Sequence, residues 1–176
     1  HGTTGPSKHW PETYGRELAE RRSDFGWAIR LPGGNAEEKA RAERIVSGVA
    51  NAAVLPKLNL AGVARVIAGA RACVAVDTGL GHLAAALAVP AVSLYGPTNP
   101  GLSGTFGQNQ LQLSSTIACA PCMSKTCHYQ GEPVQASAEG QSFIVDPPCY
   151  SSHGPTQVLA ALEGLIAARE HIAEPS

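Results

Sequence analysis

Two short segments carry residue types at spacings suited to holding a diphosphate. Asp77-Thr-Gly-Leu-Gly-His82 joins an apolar run, Cys73-Val-Ala-Val76, to a helix of small residues. At such a corner the amides of Thr78 and Gly79 point outward at the helix start, where the helix dipole also favours an anion. Glycine at 79 lets a phosphate approach the backbone closely, although Asp77 or Thr78 could equally serve as a plain helix cap. The opening segment, Thr3-Thr-Gly-Pro-Ser-Lys8, adds three hydroxyls and one ammonium within a tight loop. Hydroxyls and a lysine point charge are reasonable partners for a diphosphate. Read alone, this stretch is also compatible with an exposed terminus.

Better-known phosphate motifs do not fit. Gly79-Leu-Gly-His-Leu-Ala84 matches the dinucleotide pattern G-x-G-x-x-A, but that fingerprint needs an acidic residue about 20 positions on for the ribose. The next acid after Asp77 is Glu132, which argues against NAD. No Gly-Lys-Ser/Thr occurs, so a Walker A loop is absent.

A third constellation is Cys119-x₂-Cys122-x₄-Cys127 with a later Cys149. Two thiolates at Cys-x₂-Cys spacing can face one ion, and four cysteines can complete a tetrahedral structural Zn or Fe site, with His128 and His153 as substitute ligands. Disulfides and free thiols are the alternatives. Cys73 sits alone in its apolar strand and reads as plain core.

These segments need a scaffold, and the hydropathy pattern alternates helix and strand. A helix opens at Pro11 and Glu12, with Trp10, Tyr14 and Leu18 on one face. Trp27, Ile29 and Leu31 alternate as a strand. Asn35 caps a helix carrying Ala42, Ile45, Val46 and Val49. Ala53 to Leu55 is a brief strand, and Asn59 begins a helix with Leu60, Val63, Ala64 and Ile67 at helical spacing. The strand Cys73–Val76, a helix from Leu80 to Leu87 and a second apolar strand from Val89 to Tyr95 follow. After a Gly/Pro-rich loop come a strand from Gln110 to Ser114, an irregular cysteine-containing insert over 117–153 and a closing helix from Pro155 to Arg169. Its face is Val158, Leu159, Leu162, Leu165 and Ile166. Strands separated by single helices make a parallel sheet. The fold class is therefore α/β, a Rossmann-like parallel sheet with flanking helices. Ligands in such sheets bind beyond the carboxyl ends of the strands, which selects residues 1–8, 77–82 and the loop after Tyr95.

Composition narrows the function. The hydrophobic fraction of 44% can bury a core, and the formal net charge of −1 gives no case for nucleic acid. Eleven of the thirteen Lys and Arg lie at or before Arg71, so the second half has no basic stripe. No apolar run approaches the roughly 18 residues of a spanning helix. His1-Gly-Thr-Thr reads as the exit of a strand belonging to a longer chain.

Together, His1-Gly-Thr-Thr with Lys8-His-Trp-Pro11, Leu55-Pro-Lys, Val76-Asp-Thr-Gly-Leu-Gly-His82 and Leu94-Tyr-Gly-Pro-Thr-Asn-Pro-Gly101 resemble glycosyltransferase family 9, the ADP-heptose:lipopolysaccharide heptosyltransferases. The likeness runs from residue 1 to about 110, and around Gly96 to Gln110 it is nearer the heptosyltransferase I branch than the heptosyltransferase II branch. It implies the C-terminal, nucleotide-sugar-binding half of a B-type glycosyltransferase, with residues 1–176 as that domain and an N-terminal acceptor domain outside this chain. By the same resemblance Thr3, Thr4 and Lys8 fall on phosphate-contacting positions, and Thr78 and Gly79 on a backbone-amide phosphate site. Asp77 falls on a carboxylate that meets heptose hydroxyls, His82 lines that pocket, Leu58 lies near adenine and Glu38 matches a ribose carboxylate. Asn35-x-x-Glu38 also makes a capping box, in which Glu38 would reach back only to its own helix start.

The implied reaction is inverting transfer of heptose from ADP-heptose to an inner-core acceptor of the Kdo-lipid A type. It would run in the cytoplasm, at the inner face of the inner membrane, without a catalytic cofactor. The catalytic base is unknown among these residues and is expected from the N-terminal domain. The competing readings are another nucleotide-sugar enzyme of the same fold and a metal-stapled, non-catalytic interaction module.

Overall fold

A computed structural model describes residues 5–138 and 140–173. The chain begins with a turn of 3-10 helix, Pro6–Lys8, and then runs through α1 (Glu12–Ser23), β1 (Ile29–Leu31), α2 (Ala36–Val46), β2 (Ala52–Val54) and α3 (Leu60–Ala68). It continues with β3 (Cys73–Val76), α4 (Gly79–Ala86), β4 (Ala91–Tyr95), α5 (Pro100–Ser103) and β5 (Gln110–Ser114). Last come β6 (Gln135–Ala138), β7 (Gln141–Ile144), a 3-10 turn at Pro148–Tyr150 and α6 (Pro155–Ala173).

The strands form two parallel ladders, β1-β2 and β3-β4-β5, and an antiparallel hairpin, β6-β7. In the central ladder Val76 pairs with Leu94 and Leu94 with Leu113, so β3, β4 and β5 end at about the same level. Their exits, Asp77, Gly96 and Ser115, therefore share one edge. All five residues of β4 are buried, the pattern of a strand covered on both faces.

Helix α6 lies against β4, β5 and α1. Its predicted face is the one it buries: Val158, Leu159, Leu162 and Ile166 are buried, and Leu165 packs against the same core. The predicted α1 face is realised too. The Trp10 and Tyr14 rings lie 5.7 Å apart, and Tyr14 meets Phe143 edge-on at 5.3 Å. On α3 the expected face is only partly covered, because Leu60 is 73% exposed while Ile67 is buried. Helical side chains lean toward the N-terminus, so a first-turn leucine leans off the end of its element.

The insert corrects the sequence reading. Residues 117–153 contain a β-hairpin and a buried 3-10 turn, and the long irregular stretch is 117–134. Pro148, Cys149 and Tyr150 are buried, and Cys149, Tyr150 and Val145 belong to the main core cluster with Val92 and Leu94. The second half of the insert is therefore part of the domain. Among the described residues, no helix is long and apolar enough to cross a membrane.

Candidate functional site

The corner after β3 sets one wall. Thr78 is the residue before α4, in extended conformation with φ −146° and ψ 162°. Its side chain makes no capping hydrogen bond, and its hydroxyl oxygen is buried without a hydrogen-bond partner. A buried hydroxyl with nothing to bond costs free energy. The plain capping role is therefore not the one Thr78 fills here. At Gly79 a Cβ would meet nothing within 4 Å, so no protein neighbour requires glycine there. The space in front of the helix start is open, and the first amides of a helix have no partner within it.

Lys8 supplies the facing wall. Its Nζ lies 2.7 Å from Asp77 Oδ2, across 69 positions of sequence. The segment carrying it is pinned at three points: Tyr150 Oη donates to the Lys8 carbonyl at 2.8 Å, Trp10 Nε1 donates to the His153 carbonyl at 2.9 Å, and Arg41 donates to the Trp10 carbonyl at 2.5 Å. Arg41 and Arg44 also pair with Glu12, so α1 and α2 hold this segment between them. The other Asp77 oxygen, Oδ1, accepts from Ser103 Oγ at 3.3 Å, which brings in the end of α5. Tyr95 donates to the Ser103 carbonyl at 3.2 Å and fixes that end in place.

Beneath the site, Gly96 is required by packing. A Cβ there would sit 2.8 Å from both Cys149 Sγ and Tyr150 Cζ. Burial pushes the Cys149 thiol up to about 12, with the neighbouring Cys127, Cys122 and Cys119 adding to the effect, and it pushes Tyr150 upward as well. Both are neutral packing groups. His153, fully buried, bonds the Leu113 carbonyl through Nε2 at 2.8 Å, and burial holds it below its ordinary value.

The structure thus brings Lys8 against Asp77, next to Thr78 and Gly79 at the start of α4. Thr3 and Thr4 lie outside the described residues. His82 stands within the first two turns of α4, with an exposed side chain. Leu58 packs on the first turn of α3, against Gly62. Glu38 reaches back to its own helix start: Asn35 Oδ1 accepts from Glu38 N at 2.8 Å, as in a capping box, and Glu38 Oε2 accepts at 2.9 Å from Gly34 N, one residue before the cap. Glu38 is nonetheless close enough to His9, beside Lys8, to act on it electrostatically; burial and then Arg41 lower His9, and Glu37 and Glu38 oppose them.

Sequence reasoning missed Ser103 and Tyr150. Ser103 ends α5, in the stretch beyond β4 that the strand-end rule had already selected. Tyr150 carried no such signal, because its role depends on burial under Gly96.

Cys119, Cys122 and Cys127 are exposed free thiols, and Cys149 is a buried one. Among the described residues no group of three or more His, Cys, Asp or Glu is arranged to hold a metal ion. The loop that carries the first three has no regular structure to fix their directions; it is tied down through Ser7, which donates to the Ser124 carbonyl at 2.6 Å.

Residues 1–132 match the model of glycosyltransferase family 9 (heptosyltransferase). The chain is 54% identical over 97% of its length to lipopolysaccharide heptosyltransferase 1 of Pseudomonas aeruginosa, and covers 48% of that protein. It is 53% identical to lipopolysaccharide heptosyltransferase 1 of Escherichia coli K12 over 63% of this chain and 35% of that one. Among solved structures, E. coli heptosyltransferase WaaC with ADP superposes with a TM-score of 0.62 at 53% identity, covering 64% of this chain and 35% of that one. E. coli heptosyltransferase II, at 22% identity, shares the fold with a TM-score of 0.69 over 97% of this chain and 45% of that one. The chain spans about half the length of the Pseudomonas relative, and less of the E. coli enzymes. Neither a different nucleotide-sugar enzyme nor a non-catalytic module is favoured by these likenesses. With the fold, the strand-end site and the sequence match in agreement, this chain belongs to glycosyltransferase family 9.

Proposed function

We propose that this chain is the nucleotide-sugar-binding half of a heptosyltransferase that moves heptose from ADP-heptose, with inversion, to a lipopolysaccharide inner-core acceptor. The observation that carries the reading is the meeting of Lys8 with the Asp77-Thr78-Gly79 corner, with Lys8 Nζ 2.7 Å from Asp77. Two solved structures support the ligand: E. coli heptosyltransferase WaaC was solved with ADP and with ADP-2-deoxy-2-fluoro heptose, at 53% and 49% identity to this chain.

In this reading the backbone amides of Thr78 and Gly79 at the start of α4 take the diphosphate, together with Lys8 and with Thr3 and Thr4. Donors fixed in advance around a leaving diphosphate stabilise its growing charge without reorganising. Asp77 and His82 face the sugar, Glu38 the ribose and Leu58 the adenine. The base for the acceptor hydroxyl comes from an N-terminal acceptor domain, and the work is done in the cytoplasm at the inner face of the inner membrane.

Thermal-shift titration tests it. ADP-heptose and ADP should raise the melting temperature of the chain, and UDP-sugars at the same concentration should not. Equal shifts with both nucleotides would point to another donor. The chain alone should transfer no heptose, and measurable turnover by it would contradict the placement of the base.

A further inference from the structure

Asp77 is at first sight the wrong residue for its place. A carboxylate with only 9% of its side chain exposed stands at the mouth of an anion site and occupies Lys8, the ammonium that a diphosphate would use. Ser103 holds the carboxylate from the other side, and Tyr150 fixes the backbone of Lys8, so the pair is built in. A site selected only for affinity toward phosphate would omit the acid.

The charge change in the reaction gives the acid a use. A sugar diphosphate ester carries one negative charge on each phosphate. During transfer the bond from the anomeric carbon to the β-phosphate oxygen breaks, and its electron pair stays on that oxygen. The acceptor oxygen bonds to the carbon, and the acceptor proton passes to a base outside this chain. The nucleotide product therefore gains a negative charge at the atom that carried the sugar, since a terminal phosphate has its second pKa near 6. With the sugar hydroxyls set against Asp77 in that reading, the new charge falls beside the carboxylate. Repulsion in a partly desolvated site is stronger than in water.

We propose that Asp77 is a product-discriminating residue: it tolerates the nucleotide sugar, whose sugar hydroxyls can donate to it, and repels the extra charge of the departing nucleotide diphosphate while competing with it for Lys8. This rests on the diphosphate reading of the site, and it assigns Asp77 a part in product release as well as in sugar contact.

Isothermal titration of the chain and of Asp77→Asn with ADP and with ADP-heptose decides it. Neutralising the carboxylate should tighten ADP roughly tenfold, the effect of removing one nearby like charge under partial solvent screening. It should leave ADP-heptose no tighter than before. The affinity ratio of sugar nucleotide to product then collapses, and the ADP off-rate falls in parallel. Asp77→Ser serves in the same way if Asp77→Asn does not melt cooperatively. Unchanged or weaker ADP binding, or an equal gain for both ligands, overturns the proposal. If the unsubstituted chain binds neither ADP nor pyrophosphate, the diphosphate reading itself fails and the proposal falls with it.

Discussion

Replacing Lys8 by Met is the substitution whose cost follows most directly from the geometry. Methionine keeps much of the length of the side chain and removes its charge. Two terms then act on a bound diphosphate. The charge-assisted hydrogen bond from the ammonium is lost, which is worth roughly 1.5–3 kcal/mol. Asp77, 2.7 Å from Nζ in the intact protein, is left without its counter-ion and repels the ligand. Lys8 retains 25% side-chain exposure, so the repulsion is partly screened and the lower part of that range is appropriate. The combined expectation is a 10- to 100-fold rise in the ADP dissociation constant, taking about 1.4 kcal/mol per factor of ten. Calorimetric titration of both forms measures it, with chemical denaturation as a check that the fold is intact. Lys8→Arg should recover part of the loss. An ADP affinity within twofold of the unsubstituted chain, in a folded Lys8→Met protein, would refute the claim that Lys8 faces the phosphates.

Gly79→Ala should leave stability unchanged or raise it by up to about 1 kcal/mol, because the new methyl meets no protein atom and alanine favours a helix. The same methyl enters the phosphate space, so ADP affinity should fall; loss of stability with unchanged affinity would reverse the assignment. Glu38→Gln preserves the capping box and should leave the melting temperature unchanged while weakening ADP and sparing pyrophosphate, as binding assays with the two ligands would show. Gly96→Ala should cost about 1–3 kcal/mol in urea denaturation, since its Cβ would lie 2.8 Å from the Tyr150 ring and Cys149 Sγ; a neutral effect would mean this packing yields. His9 and His153 are both held below their ordinary value of 6.5, chiefly by burial. The unfolded chain therefore takes up their protons first as pH falls, and stability should decline below about 6.5. Urea midpoints at pH 7.5 and 5.5 test the sign, and a flat profile would oppose it.

Much of this site was legible in the sequence because its parts sit where periodicity changes. The corner at Asp77 is marked by an apolar run ending and a small-residue helix beginning, and β3 and α4 meet there. Lys8 could be named from residue type, but its meeting with Asp77 is a tertiary event across 69 positions. The hairpin was missed for a physical reason: both strands are four residues long, Gln135-Ala-Ser-Ala138 alternates only with small alanines, and Gln141-Ser-Phe-Ile144 does not alternate. Tyr150 and Cys149 were read with a loose insert, yet they fill the space that Gly96 leaves empty. The cysteine spacing was visible, but direction and distance in a loop without regular structure are not written in spacing. Glu38 shows the opposite limit, since its capping role was deducible from local sequence alone: Asn35 Oδ1 accepts from Glu38 N as a capping box requires, and Glu38 Oε2 accepts from Gly34 N, one residue before the cap.

The most direct test of the central claim is a titration of ADP into the isotopically labelled chain, followed by backbone and lysine side-chain NMR. If one diphosphate is gripped between the helix corner and the opening turn, the Thr78 and Gly79 amide signals and the Lys8 ammonium should shift together, with a single dissociation constant. ADP binding that moves other residues and leaves those three unperturbed would contradict it.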